Sequence, residues 1–109
     1  YFSNPQETYG CNTAWLAFPI LIKEGTPFTR KEFQIFLEKR NIQTRVVFTG
    51  NILRQPMCQN ISKRVLEEGY PNADRVMARG VLLPLHHGMT ESMFSRFHAT
   101  VHEFIEQYD

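Results

Sequence analysis

The chain has 109 residues, a length that fits one short domain. Hydrophobic residues make up 42% and charged residues 21%, and nine Phe, four Tyr and one Trp exclude a disordered chain. Twelve basic against eleven acidic side chains leave a formal charge of +1, so no charge excess marks a nucleic-acid or membrane-surface binder.

The opening stretch, residues 1–12, is polar and turn-rich (Asn4-Pro5, Tyr9-Gly10) and reads as an approach segment rather than core. It starts Tyr1-Phe2-Ser3 and not with Met, which leaves processing, or derivation from something longer, open. Residues 14–22 (AWLAFPILI) are apolar and short, as a buried strand requires, and fall well below the ~20 residues of a membrane span. Pro19 cannot donate to a sheet ladder, so it is expected at an edge or bulge.

Thr29 and Glu32 have capping-box spacing, and Phe28 and Phe33 have the spacing of a hydrophobic staple. Phe33, Phe36 and Leu37 then share one face of a helix that runs to about Arg40 and leaves through Asn41. Residues 42–49 (IQTRVVFT) are rich in β-branched side chains and read as a second strand, broken by Gly50-Asn51. Residues 62–68 fit a short helix closed by Gly69. A further helix starts at Pro71-Asn72, with Asn72 as cap, and ends before Gly80. Residues 81–83 form a third strand stopped by Pro84. The last helix is capped by Thr90 and carries Phe94, Phe97, Val101, Phe104, Ile105 and Tyr108 as one apolar stripe. The order predicts an α+β domain: a small sheet of about three strands with helices mainly on one face.

Candidate chemistry is sparse. Cys11 and Cys58 are too few for a disulfide framework or a four-thiolate metal site, and a single bridge between them stays open. His98 and His102 are four apart on a helix, but Ala99 stands where a zinc peptidase motif needs Glu. Both flank the apolar stripe, where half-buried histidine is ordinary, so no metal site is assigned. Asn60-Ile61-Ser62 fits a glycosylation sequon, but no basic-then-apolar leader precedes it, and a cytoplasmic setting is the expectation. His86-His87 follows a strand and precedes a helix, a frequent ligand position.

The segment RVVFTGNILRQ, residues 45–55, is the richest. Arg45 and Arg54 offer planar forks that match phosphate or carboxylate, and Asn51 and Gln55 offer amides that both donate and accept. The plain alternative is a pair of solvated charges around a turn. No residues complete a nucleophile, base and orienter.

Taken together, WLAFPILI, the capped helix, TRVVFTGNILRQP and YPNADRVMARGVLLPLHHGMT resemble the C-terminal domain of the DegT/DnrJ/StrS family of sugar aminotransferases and dehydrases. The resemblance runs from about Ala14 to Tyr108. It implies residues 1–13 as the approach from a large domain, and residues 14–109 as the small domain of a fold type I pyridoxal-phosphate (PLP) enzyme. Gly-Asn followed by RQP is similar to the branch that removes the 3-hydroxyl of nucleotide-linked 4-keto-6-deoxyhexoses. LPLHHGMT departs from that branch, and Cys11 and Cys58 do not reproduce the iron–sulfur ligands some of its members carry. Dehydration and amination both stay open.

By this resemblance the full-length protein is an enzyme of deoxysugar or lipopolysaccharide synthesis, dependent on PLP or pyridoxamine phosphate. The cofactor and the catalytic residues lie outside this chain, which is expected to be inactive alone. Its partners are a sugar nucleotide, its own large domain and a second copy, with no nucleic acid or membrane. Arg45, Asn51, Arg54, Gln55 and, less directly, His86 are expected to face substrate. The competing expectation is a free-standing, non-catalytic small-molecule-binding or regulatory module.

Overall fold

In the computed structural model, which describes all of residues 1–109, a four-stranded sheet carries the domain. Its strands are β1 (Phe2–Ser3), β2 (Phe18–Ile22), β3 (Arg45–Val46) and β4 (Gly80–Leu83). The spatial order is β1-β2-β4-β3, and every neighbouring pair is antiparallel. Three helices complete it: α1 (Arg30–Glu38), α2 (Pro71–Arg79) and α3 (Glu91–Ile105).

Strand alternation puts Ile20, Ile22, Val81 and Leu83 on one face of the sheet, where all four are buried. Phe33 and Leu37 of α1 and Phe104 of α3 close over them, each at most 2% exposed. The core is largely aromatic. Phe104 meets Phe28 edge-on at 4.8 Å and Phe33 at 5.2 Å between ring centres. α1 and α3 therefore cover the same face, and α2 contributes no residue to this core.

Local signals explain the helix ends. The Glu32 amide donates to Thr29 Oγ1 at 3.2 Å and the Thr29 amide to Glu32 Oε2 at 2.7 Å, which completes the capping box. Asn41 takes a left-handed φ of 57° at the exit of α1, as short polar side chains tolerate. Thr90 caps α3 through the Met93 amide. No helix is long and apolar enough to cross a membrane.

The structure corrects several expectations. The sheet has four strands and not three, because Phe2–Ser3 pairs with Leu21 and Ile22 and Phe2 packs on the core. The second strand narrows from residues 42–49 to Arg45–Val46, since β4 offers only Val81 and Leu82 opposite it. Pro19 lies within β2, in register with Leu82, at a point β1 does not reach, so its missing N–H leaves the ladder intact. Residues 62–68 form no helix: Val65 is 45% and Leu66 50% exposed, so a turn there has no face to bury. α2 starts at Pro71 with Tyr70 in the cap position and no side-chain cap bond, because proline at the first helical position already has the helical φ. Asn72 instead accepts from Arg75.

The chain's two ends meet. The Tyr1 hydroxyl donates to the Asp109 carboxylate at 3.2 Å, and the Tyr1 and Tyr108 rings both pack on Phe28.

Candidate functional site

β3 runs antiparallel to β4, so the chain leaves β3 beside Val81 and leaves β4 past Leu83. The loop after β3 and the loop after β4 therefore lie at opposite ends of the sheet. This separates the five expected site residues.

At the first end, Gly50 turns the chain with φ 65°, and a Cβ there would lie 2.6 Å from Met77 Cβ of α2. Only glycine lets the loop seat this closely on the helix. Asn51 follows, 6% exposed, and its side-chain oxygen accepts from the Leu53 amide at 3.1 Å, opening a single 3-10 turn, Ile52–Arg54. Asn51 Nδ2 donates to Asp74 Oδ1 at 2.8 Å. Arg54 grips the same carboxylate from Nη2 at 2.7 Å and from Nε. Gln55 Nε2 donates to the Thr49 carbonyl at 2.9 Å and closes the loop on itself. The Arg54 guanidinium, and then the Asn51 amide, hold the Asp74 carboxyl well below its ordinary value, down to about 2. The result is a rigid polar corner in which Arg54 still has 62% of its side chain in solvent.

Arg45 lies on β3 opposite Leu82, on the sheet face away from the core, and is exposed. No hydrogen bond joins it to the corner residues.

His86 belongs to the second end. It lines an open cleft of about 640 Å³ with Trp15, Phe18, Phe94 and Phe97. Arg96 adds a guanidinium and His98 a second imidazole, and Arg45, Asn51, Arg54 and Gln55 take no part in it. The size falls within the range of small-molecule clefts. His86 Nδ1 accepts from the Gly88 amide at 3.1 Å, which sets the ring in its loop and leaves Nε2 as the free nitrogen. His98 and His102 gather no third ligand: no group of three or more His, Cys, Asp or Glu is placed to hold a metal ion. Cys11 is exposed, Cys58 is buried, and both are free thiols.

The structure thus joins Asn51, Arg54 and Gln55, sets Arg45 apart on the strand, and sends His86 to the other end. Two residues escaped the sequence reading. Asp74 looks like an ordinary acid in the first turn of a helix, and only the three bonds it accepts reveal its role. Trp15 reads as strand, but it precedes β2 and walls the cleft.

Residues 2–102 match the DegT/DnrJ/EryC1/StrS aminotransferase family, and the chain belongs to it. Lipopolysaccharide biosynthesis protein RfbH of Salmonella typhimurium is 36% identical over 86 residues, covering 79% of this chain and 20% of that protein. The dTDP-4-dehydro-2,6-dideoxy-D-glucose 3-dehydratase of Saccharopolyspora spinosa is 33% identical over 101 residues, covering 93% and 22%. Among solved structures, E. coli GDP-4-keto-6-deoxy-D-mannose-3-dehydratase with bound hydrated PLP superposes with a TM-score of 0.75 at 22% identity, over 92% of this chain and 25% of that one. A DegT DnrJ EryC1 StrS aminotransferase from Brucella abortus gives 0.77 at 18% identity, over 94% and 26%. These superpositions show a shared fold. The chain spans about a fifth of the length of the curated relatives it matches.

Proposed function

We propose that this chain is the small domain of a cytoplasmic, B6-dependent enzyme that removes the 3-hydroxyl of a nucleotide-linked 4-keto-deoxysugar, for deoxysugar or lipopolysaccharide synthesis. The observation that carries the reading is the match to a sugar 3-dehydratase over 93% of the chain. In this reading residues 1–13 lead in from a large domain, with Phe2 and Ser3 already paired into the small domain's sheet, and residues 14–109 close over the substrate, in a homodimer. Arg54 offers the cation that meets the sugar nucleotide, and Asn51 and Gln55 shape the loop that presents it. Arg45 and His86 are the more distant substrate contacts.

PLP or pyridoxamine phosphate would supply the electron sink for the elimination. The four lysines of this chain, Lys23, Lys31, Lys39 and Lys63, are all exposed and none lines the cleft, so no lysine amine is placed there to form a Schiff base with PLP. The cofactor would be held by the rest of the enzyme.

The test is turnover by the full-length protein with pyridoxamine phosphate and nucleotide-linked 4-keto-6-deoxyhexoses, read by mass. Loss of one oxygen from the sugar, the 3-hydroxyl exchanged for hydrogen with two electrons from pyridoxamine phosphate, which is recovered as PLP and ammonia, supports 3-dehydration. Exchange of oxygen for nitrogen with an amino donor would move the assignment to amination, and no conversion with any of these sugars would overturn it. Arg54→Ala should raise KM about tenfold or more, the scale of one lost charged hydrogen bond, while stability falls only by the small worth of one partly exposed ion pair.

A further inference from the structure

The polar corner holds a residue whose geometry exceeds what a stabilising tie needs. Asp74 accepts from Arg54 through Nε and Nη2, which form one edge of the guanidinium, and from Asn51 on the same carboxylate. Nη1 has no protein partner, and the second hydrogen of Nη2 stays free beside it. That outer edge faces solvent on a side chain that is 62% exposed. An exposed ion pair contributes about 0–1 kcal/mol to stability, so a salt bridge alone gives little reason for three converging bonds. A guanidinium clamped along one edge is a pre-oriented fork: the rotamer entropy of a long side chain is lost before any ligand arrives.

We propose that Asp74 is a positioning residue, which holds Arg54 by its Nε–Nη2 edge so that the Nη1–Nη2 edge receives the diphosphate of the substrate; this rests on the reading of the substrate as a sugar nucleotide. Asn51 acts with it, since it caps the turn that carries Arg54 and fixes the carboxylate from the other side. The Asp74 carboxyl stays ionised across the neutral range, so the clamp is present whenever substrate is.

Charge and aim pull in opposite directions here, and that makes the proposal testable. A carboxylate beside a phosphate site weakens it by its charge and strengthens it only by orientation. Inorganic pyrophosphate serves as the probe, titrated calorimetrically into the intact, cofactor-loaded enzyme. Asp74→Ala should weaken binding about tenfold, Asp74→Asn should weaken it severalfold, and Arg54→Ala should lose as much as the Asp74→Ala/Arg54→Ala double variant. Weaker binding in Asp74→Asn is the signature of aim, because Asn drops the repelling charge but sets an NH2 donor against one of the clamp's own donors, and parent-like or tighter binding in it overturns the clamp. Binding that is unchanged or tighter in Asp74→Ala overturns the proposal, as does a parent enzyme that does not bind pyrophosphate. Should Asp74→Ala not fold, Arg54→Lys decides, since an ammonium has no fork: it must bind as weakly as Arg54→Ala, and parent-like binding overturns the clamp. Sugar-nucleotide turnover is measured alongside. A parent that binds pyrophosphate in this pattern but converts no sugar nucleotide sinks the functional reading and leaves the clamp standing. A parent that converts sugar nucleotide, with KM unchanged in Asp74→Ala, sinks the clamp alone.

Discussion

Where the chain leaves β3, the sheet ends in polar side chains that bond to one another. Where it leaves β4, it ends in a cleft walled by Trp15, Phe18, Phe94 and Phe97. The polar end is built by closure: Gly50 brings the backbone against α2, Asn51 is buried, and Asp74 gathers two donor side chains. The apolar end is left open, with Phe94 37% and Met93 48% exposed. The difference teaches that a corner closed by internal bonds can still present a charge. The end whose side chains bond to one another turns one cation outward, while the open cleft offers mainly apolar wall.

Four measurements break or sharpen this contrast. The largest effect belongs to the layer that both ends share. Phe104→Ala removes a 2%-exposed ring that contacts Phe28, Phe33 and Phe36, and should cost about 3–5 kcal/mol in urea unfolding. A cost below about 1 kcal/mol would mean that the ends are not held by a common core. Next comes Gly50→Ala, expected to lose about 1–2 kcal/mol from its left-handed φ alone, with the contact on Met77 added. Truncating Met77 to Ala should not rescue it, because Met77 Cβ itself is the atom 2.6 Å away.

The third concerns acid. The folded-state carboxyl of Asp74 is held at about 2 against an ordinary 3.8, so its contribution is complete above about pH 4 and fades as pH falls toward 2. Salt screens this partly exposed pair, and Glu32 and Glu103 are also lowered, by the Thr29 amide and by Arg40. The readout is therefore the difference between parent and Asp74→Asn unfolding midpoints from pH 5 to 2, which should shrink with acid. A difference that is flat in pH would remove the ion pair from the polar end. The smallest effect is expected at the cleft. Phe94→Ser should change stability by no more than about 0.5 kcal/mol, yet shift the emission of Trp15, the chain's only tryptophan, to the red.

The elements legible in the sequence are those with local chemistry. Thr29 and Glu32 announce α1 because each satisfies the other's backbone, and Thr90 announces α3 by accepting from the Met93 amide. The stripe on α3 needs only a 3.6-residue period. β1 is illegible because a two-residue strand has no period, and its pairing is set by β2, some fifteen residues away. The extent of β3 depends on how much of β4 stands opposite, which no local window contains. At the site, Gly50, Asn51, Arg54 and Gln55 are adjacent in the chain and read as a group. Asp74 joins them only through a contact across 20 residues, and His86 leaves them only because antiparallel strands exit in opposite directions.

The meeting of Tyr1 with Asp109 has a consequence for connectivity. Tyr1 and Tyr108 rest on the one Phe28 ring, so the strand that enters the sheet and the exit of α3 lie side by side. Entry and exit are thereby anchored at a single point of the core, and whatever loosens Phe28 loosens both together.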